Sequence, residues 1–240
     1  EGRESFDGAR ALQDRQQDLE AVLSAQAQQR IPIQGERVVL AGHSMGALTA
    51  LVASGHSPQS GMDQRCQKAL GDLPLTNLSR LLQCELVERG VLRSRSMPAS
   101  PAAVVGLNSL GSVIWPVGSS DPSPTPLLLV GGTLDLITPP LDEQIGLLAS
   151  LAQHPYSRVV VIEGASHFSP IRVGETQVGT REDDLFQLGE DLVGVNPRSA
   201  QRVIANEIVV FLSDLSANSS ASVDEHWRDG GVRWHRLTIE

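Results

Sequence analysis

Four short apolar runs punctuate the chain: RVVLA at Arg37–Ala41, AAVVGL at Ala102–Leu107, LLLV at Leu127–Val130 and RVVVI at Arg158–Ile162. None alternates apolar with polar residues. A strand with one wet face would alternate, so uniform apolarity predicts strands buried on both faces of a parallel sheet. Between the runs the period changes to that of helices. Residues 7–29 set Leu12, Leu19, Val22 and Leu23 on one helical face, with Asp7 as N-cap and Pro32 and Gly35 as breakers. Small residues from Ala47 to Ala53 predict a second helix that ends near Gly55. Thr138 is expected to cap a helix with Pro139 in its first turn, running to about Ala152, and Ser199–Leu215 reads as an amphipathic helix.

Residues 56–101 break this rhythm. They are polar, rich in Ser, Gln and Arg, with one helix expected around Leu75 to Val87, and they read as a cap-like insertion. The tail at 216–240, which contains EHWRDGGVRWHRLTIE, reads as a polar extension. Strand–helix alternation with continuous apolar strands predicts an α/β fold, a mostly parallel sheet flanked by helices. The 240 residues fit one domain with its insertion.

Composition adds exclusions. A formal charge of −9 argues against nucleic acid as a partner, because phosphate binding needs a basic face. No run approaches the roughly 20 apolar residues of a membrane-spanning helix. No His/Cys/Asp/Glu cluster suggests a metal, and GGTLD lacks the lysine of a phosphate loop, so no cofactor is expected. Cys66 and Cys84 have no metal-site spacing; they could pair, but two reduced cysteines are the plainer expectation. Asn77 and Asn218 open formal glycosylation triplets, which matter only in a secretory setting.

In parallel sheets, ligand chemistry gathers at the carboxyl ends of the strands. Three ends here carry candidate groups. The first run leads into Gly42-His43-Ser44-Met45-Gly46, a G-x-S-x-G turn between strand and helix. Such a turn is sharp; glycines at both ±2 positions are expected to relieve the crowding and lift Ser44 above the sheet. The Met45 N–H and the start of the helix would then face a developing oxyanion. The third run leads to Asp135 in GGTLDLITPP, where a carboxylate could orient an imidazole. Asp142 and Glu143 are more simply first-turn residues favoured by a helix dipole. The fourth run leads to His167 in EGASHFSP. The order Ser44, Asp135, His167, with separations of 91 and 32 residues, fits a nucleophile, an orienter and a general base. His43 is expected to pack beneath the nucleophile, and His56, His154, His226 and His235 to be surface or structural residues.

GHSMG, GTLDLITPP and EGASHFSP together resemble the α/β-hydrolase superfamily. More narrowly they are similar to bacterial proteins labelled dienelactone hydrolases by prediction, and to the platelet-activating-factor acetylhydrolase group. The resemblance runs from about Phe6 to Leu215 and implies Ser44 as nucleophile, Asp135 as orienter, His167 as general base and Met45 N–H as oxyanion donor. True dienelactone hydrolases use cysteine as nucleophile, so the serine here implies a carboxylic ester rather than a dienelactone. In this superfamily several strands, and a His-Gly loop giving a second oxyanion N–H, precede the nucleophile strand. About 35 residues precede it here and read as one helix, so the resemblance implies a partial domain with N-terminal strands missing. The expectation is therefore a small-molecule ester hydrolase with residues 56–101 over its site. The rival expectation is a truncated hydrolase fold that binds without turnover.

Overall fold

The computed structural model describes residues 7–32, 35, 37–71, 77–92, 97, 100–118, 124–151, 154–171, 195–217, 225–229 and 231–238. Six strands form one sheet: β1 (Val39–His43), β2 (Ala103–Leu107), β3 (Leu127–Gly132), β4 (Arg158–Ile162), β5 (Glu225–Asp229) and β6 (Val232–Thr238), in the order β1-β2-β3-β4-β6-β5. The first four run parallel, and β6 and β5 join antiparallel beside β4. Strand β1 begins two residues later than its apolar run, because pairing with β2 from Val39↔Ala103 to His43↔Leu107 carries it into the glycine turn.

Helices cover both faces. On one side α1 (Gly8–Ala27), α2 (Met45–Ala53), α4 (Ser79–Glu88) and α5 (Gly146–Leu151) contribute Leu12, Leu48, Leu51, Leu86 and Leu147 to a core with Val104, Leu127, Leu129 and Val159. On the other, α6 (Pro197–Ala217) packs Val203, Ile204 and Phe211 against Val105, Leu128, Val130 and Ile162. Alternate residues of each central strand thus enter opposite cores, which is why those strands read as uninterrupted apolar runs. In α1 the Asp7 side chain accepts from Arg10 N–H, as a capping residue should. Its buried stripe is Leu12, Gln16 and Leu23; Val22 falls outside the stripe and is 49% exposed.

The 56–101 insertion holds two helices rather than one, α3 (Met62–Gly71) preceding α4. They lie side by side and place Cys66 against Cys84, joined in a disulfide with Cα atoms 5.4 Å apart. Reduced cysteines were the plainer expectation, and spacing alone could not reveal two adjacent helices. Arg65 fastens α3 to the segment after β2, donating to Val113 O at 2.6 Å, Ile114 O at 3.3 Å and Gln59 O at 3.0 Å. The bridge closes a loop across 18 residues, so Cys84→Ser should cost about 3 kcal/mol of stability. A urea melt with and without dithiothreitol checks this: the reductant should destabilise the native chain and leave the variant unchanged.

Two further expectations are corrected. Thr138 does not cap a helix; the chain passes Pro139 and Pro140 into one π-helical turn, Leu141–Ile145, before α5, and the Thr138 hydroxyl is engaged elsewhere. Ala152 and Asn218 lie outside the described residues, while Asn77 is fully buried and offers no glycosylation site in the fold. The tail is also more than a polar extension: residues 225–238 form the β5–β6 hairpin. Its hold on the body is a buried ion pair, Arg236 donating through Nε and Nη2 to Glu207 of α6 at 3.0 Å, with Trp234 Nε1 adding a bond at 3.0 Å. Arg236 also lies 4.3 Å from the Trp227 ring centre. Removing one partner strands a buried charge, so Glu207→Ala should lower stability by about 3–5 kcal/mol in denaturant titration.

Candidate active site

Ser44 stands at the carboxyl end of β1 with φ 53° and ψ −120°, a backbone region that non-glycine residues rarely occupy. The conformation is imposed by its setting. Ser44 N–H is tied to Leu107 O of β2 at 2.9 Å, and the chain turns immediately into α2. A side chain at Gly42 would collide with the backbone of Gly46 and Ala47, so glycine is required there. A side chain at Gly46 would meet nothing within 4 Å. The expectation that both glycines relieve crowding therefore holds for one of them. Gly42→Ala should destabilise by about 1–3 kcal/mol or more, whereas Gly46→Ala should be neutral or stabilising by up to about 1 kcal/mol. Thermal melts of the two variants provide the comparison. Met45 begins α2, and its N–H is one of the helix-start donors without an intrahelical acceptor.

Beyond β3, Gly132 lets the Ala165 carbonyl approach where a Cβ would otherwise sit, and Leu134 N–H bonds that same carbonyl at 3.0 Å. The loops after β3 and β4 are thereby laid against each other. This contact brings Asp135 to His167: Nδ1 of the imidazole lies 2.9 Å from Oδ2 of the carboxylate, both side chains buried. Oδ2 also receives Asn108 Nδ2 and the Thr138 hydroxyl, each at 2.6 Å. Oδ1 receives Ile137 N–H at 2.9 Å and Thr138 N–H at 2.7 Å. Burial pushes the Asp135 carboxyl up, but the His167 hydrogen bond and charge, with the Thr138 hydroxyl and N–H, outweigh it and hold the group below its ordinary value. It is an ionised, saturated acceptor. With Nδ1 committed to it, His167 keeps Nε2 as its free nitrogen.

The structure thus joins Asp135 and His167 directly. Ser44 stands at the same end of the sheet, and among the described residues no hydrogen bond links its hydroxyl to His167; such contacts tighten in reacting complexes. His43 does not simply pack beneath the serine. Its Nε2 lies 2.7 Å from the His167 carbonyl, and the two rings are 4.8 Å apart. Of the other histidines, His56 is buried while His226 and His235 pair with each other across the hairpin.

Three participants escaped sequence reading. Asn108 adopts φ 47° just after β2; its position at a strand end was the available signal. Thr138 was taken for a cap. Glu143 was assigned to the helix dipole but is fully buried. Its carboxylate takes bonds from Asn77, Ser79, Gln83, Gly111 N–H, and both N–H and hydroxyl of Ser112. It therefore welds α4 of the insertion to the segment after Asn108, and Leu78 and Ser79 N–H bond the carbonyls of Leu136 and Ile137 just past Asp135. Among the described residues no group of His, Cys, Asp and Glu is disposed to hold a metal ion.

A parallel sheet with a strained serine turn, an acid and a histidine at successive strand ends is the layout of the α/β hydrolases. A family model described as the alpha/beta hydrolase family matches residues 2–175, and the chain belongs to that family. A search of curated proteins finds no match.

Proposed function

We propose that this hydrolase cleaves carboxylic esters through an acyl-enzyme formed on Ser44. The observation that carries the proposal is the saturated Asp135–His167 pair, buried at the strand ends beside a serine held at positive φ. In this reading Ser44 Oγ attacks the ester carbonyl carbon while His167 Nε2 takes its proton. The carbonyl oxygen becomes an oxyanion facing Met45 N–H and the start of α2. Asp135 fixes the imidazole tautomer and stabilises the imidazolium, which then protonates the departing alcohol. Water, activated by the same nitrogen, releases the acid and restores Ser44. The α3–α4 insertion and the Asn108–Trp115 segment shape the acyl or alcohol pocket, and no cofactor enters any step.

The test is hydrolysis of p-nitrophenyl acetate and butyrate, together with fluorophosphonate labelling mapped by peptide mass. Turnover with an adduct on Ser44 supports the proposal; a folded protein giving neither overturns it. One observation favours a second reading, a hydrolase fold that binds a partner without turnover. Among the described residues β1 is bonded on one side alone, and a groove of about 350 Å³ lined by Arg15, Leu19, Val39, Gly46 and Thr49 runs along its outer edge. Absent turnover combined with concentration-dependent association in sedimentation would select that reading.

A further inference from the structure

We infer that His43 is a positioning residue for His167, holding the backbone of the base-bearing turn at a fixed height above the nucleophile turn. The inference rests on the proposed roles of Ser44 and His167. His43 closes β1, in register with Leu107, and is followed directly by the constrained Ser44, so its own backbone has little freedom. Its Nε2 lies 2.7 Å from the His167 carbonyl oxygen. A carbonyl can only accept, so His43 Nε2 carries the proton and donates. Among the described residues this is the hydrogen bond that joins the nucleophile turn to His167.

His167 is thereby held at two points from two strands. Asp135 and Thr138, following β3, hold its imidazole through Nδ1 at 2.9 and 3.1 Å. His43, at the end of β1, holds its backbone. With the side-chain bonds alone the imidazole could pivot about Nδ1, sweeping Nε2 toward or away from Ser44. The second anchor removes that pivot, which matters because a misplacement of about 1 Å at a reacting pair costs about 10²-fold in rate.

An imidazole suits this post better than a lysine or arginine. The groups facing it are His167 and Asp135. Burial is the main influence lowering the tendency of His43 to protonate, with the charge of His167 acting in the same direction against the opposing pull of the carbonyl bond and Asp135. His43 therefore donates while neutral and sets no second cation beside His167 when the latter takes the serine proton.

The experiment compares His43→Gln, whose amide reaches the position of Nε2 and keeps a donor, with His43→Leu, which has none, and His43→Asn, which is polar but too short. Three readouts are taken: kcat and KM on p-nitrophenyl butyrate, the acid limb of the kcat/KM profile, and the low-field proton resonance of the His167 Nδ1–H bond. His43→Gln should stay within a few-fold of the native enzyme. His43→Leu and His43→Asn should lose about 10²-fold in kcat with KM nearly unchanged. In both, the acid limb should move to lower pH, since a loosened imidazolium gains less from Asp135, and the low-field resonance should broaden or vanish. Should His43→Leu fail to fold, His43→Asn carries the same contrast. Native kcat and resonance in a donor-less variant would overturn the inference, as would equal losses in His43→Gln and His43→Asn. If the native chain turns over no ester, the resonance still decides the positioning role, so its failure and that of the ester reading remain distinct.

Discussion

Ser44→Ala should fold as the native chain does and lose ester hydrolysis by about 10⁶-fold in kcat. The fold should survive because nothing in the backbone depends on the hydroxyl. Ser44 N–H still reaches Leu107 O, Gly42 still admits the Gly46 backbone, and alanine adopts φ 53° at no greater steric cost than serine. The loss should be nearly complete because no other described nucleophile stands at this end of β1. Turnover within tenfold of the native rate would place the nucleophile elsewhere. Circular dichroism and a thermal melt of the same sample separate a chemical loss from an unfolded one.

Asp135→Asn should lower kcat by about 10⁴-fold, an effect that combines two faults. The neutral amide can neither fix the His167 tautomer nor stabilise an imidazolium. In addition, every acceptor site of the native carboxylate is occupied by a donor. Turned one way, the new NH₂ group faces the N–H groups of Ile137 and Thr138; turned the other, it faces Asn108, Thr138 and His167. A donor pressed against donors costs stability as well as rate. The variant should therefore melt below the native protein, whereas Ser44→Ala should not.

The same carboxylate predicts a pH signature. Its folded value is depressed below the ordinary 3.8, so its contribution to stability is complete above that value and disappears as pH falls through the folded one. Stability curves of the native protein and Asp135→Asn should converge below pH 4 and separate above it.

The sequence made the sheet legible because burial on both faces removes alternation and leaves unmistakable runs. β4 was bounded to the residue, and the other three runs located their strands to within two residues. The hairpin was opaque for the converse reason. Its strands, EHWRD and VRWHRLT, carry charge on nearly every position, and their stability derives from Glu207 on a distant helix. In the site, Asp135 and His167 were legible from their strand ends and do meet. Glu143 was not, because a buried carboxylate without a cation looks, in one dimension, like any first-turn acid. Its partners come from residues 77–83 and 111–112, and only folding assembles them. The Cys66–Cys84 bridge was hidden in the same way, since it depends on two helices lying side by side.

Strand β2 holds both halves of the site. The Leu107 carbonyl receives the Ser44 N–H, and the next residue, Asn108, binds the Asp135 carboxylate and accepts the Thr138 hydroxyl on its own carbonyl. Any sliding or breathing of β2 displaces both attachment points together, so small errors in strand spacing cancel instead of accumulating between serine and acid. The segment that begins at Ser109 lies outside this gauge. Substrate range and reaction geometry are therefore separable: that segment can be rebuilt to admit a different acyl or alcohol group while the spacing of the reacting groups stays as the two neighbouring residues set it.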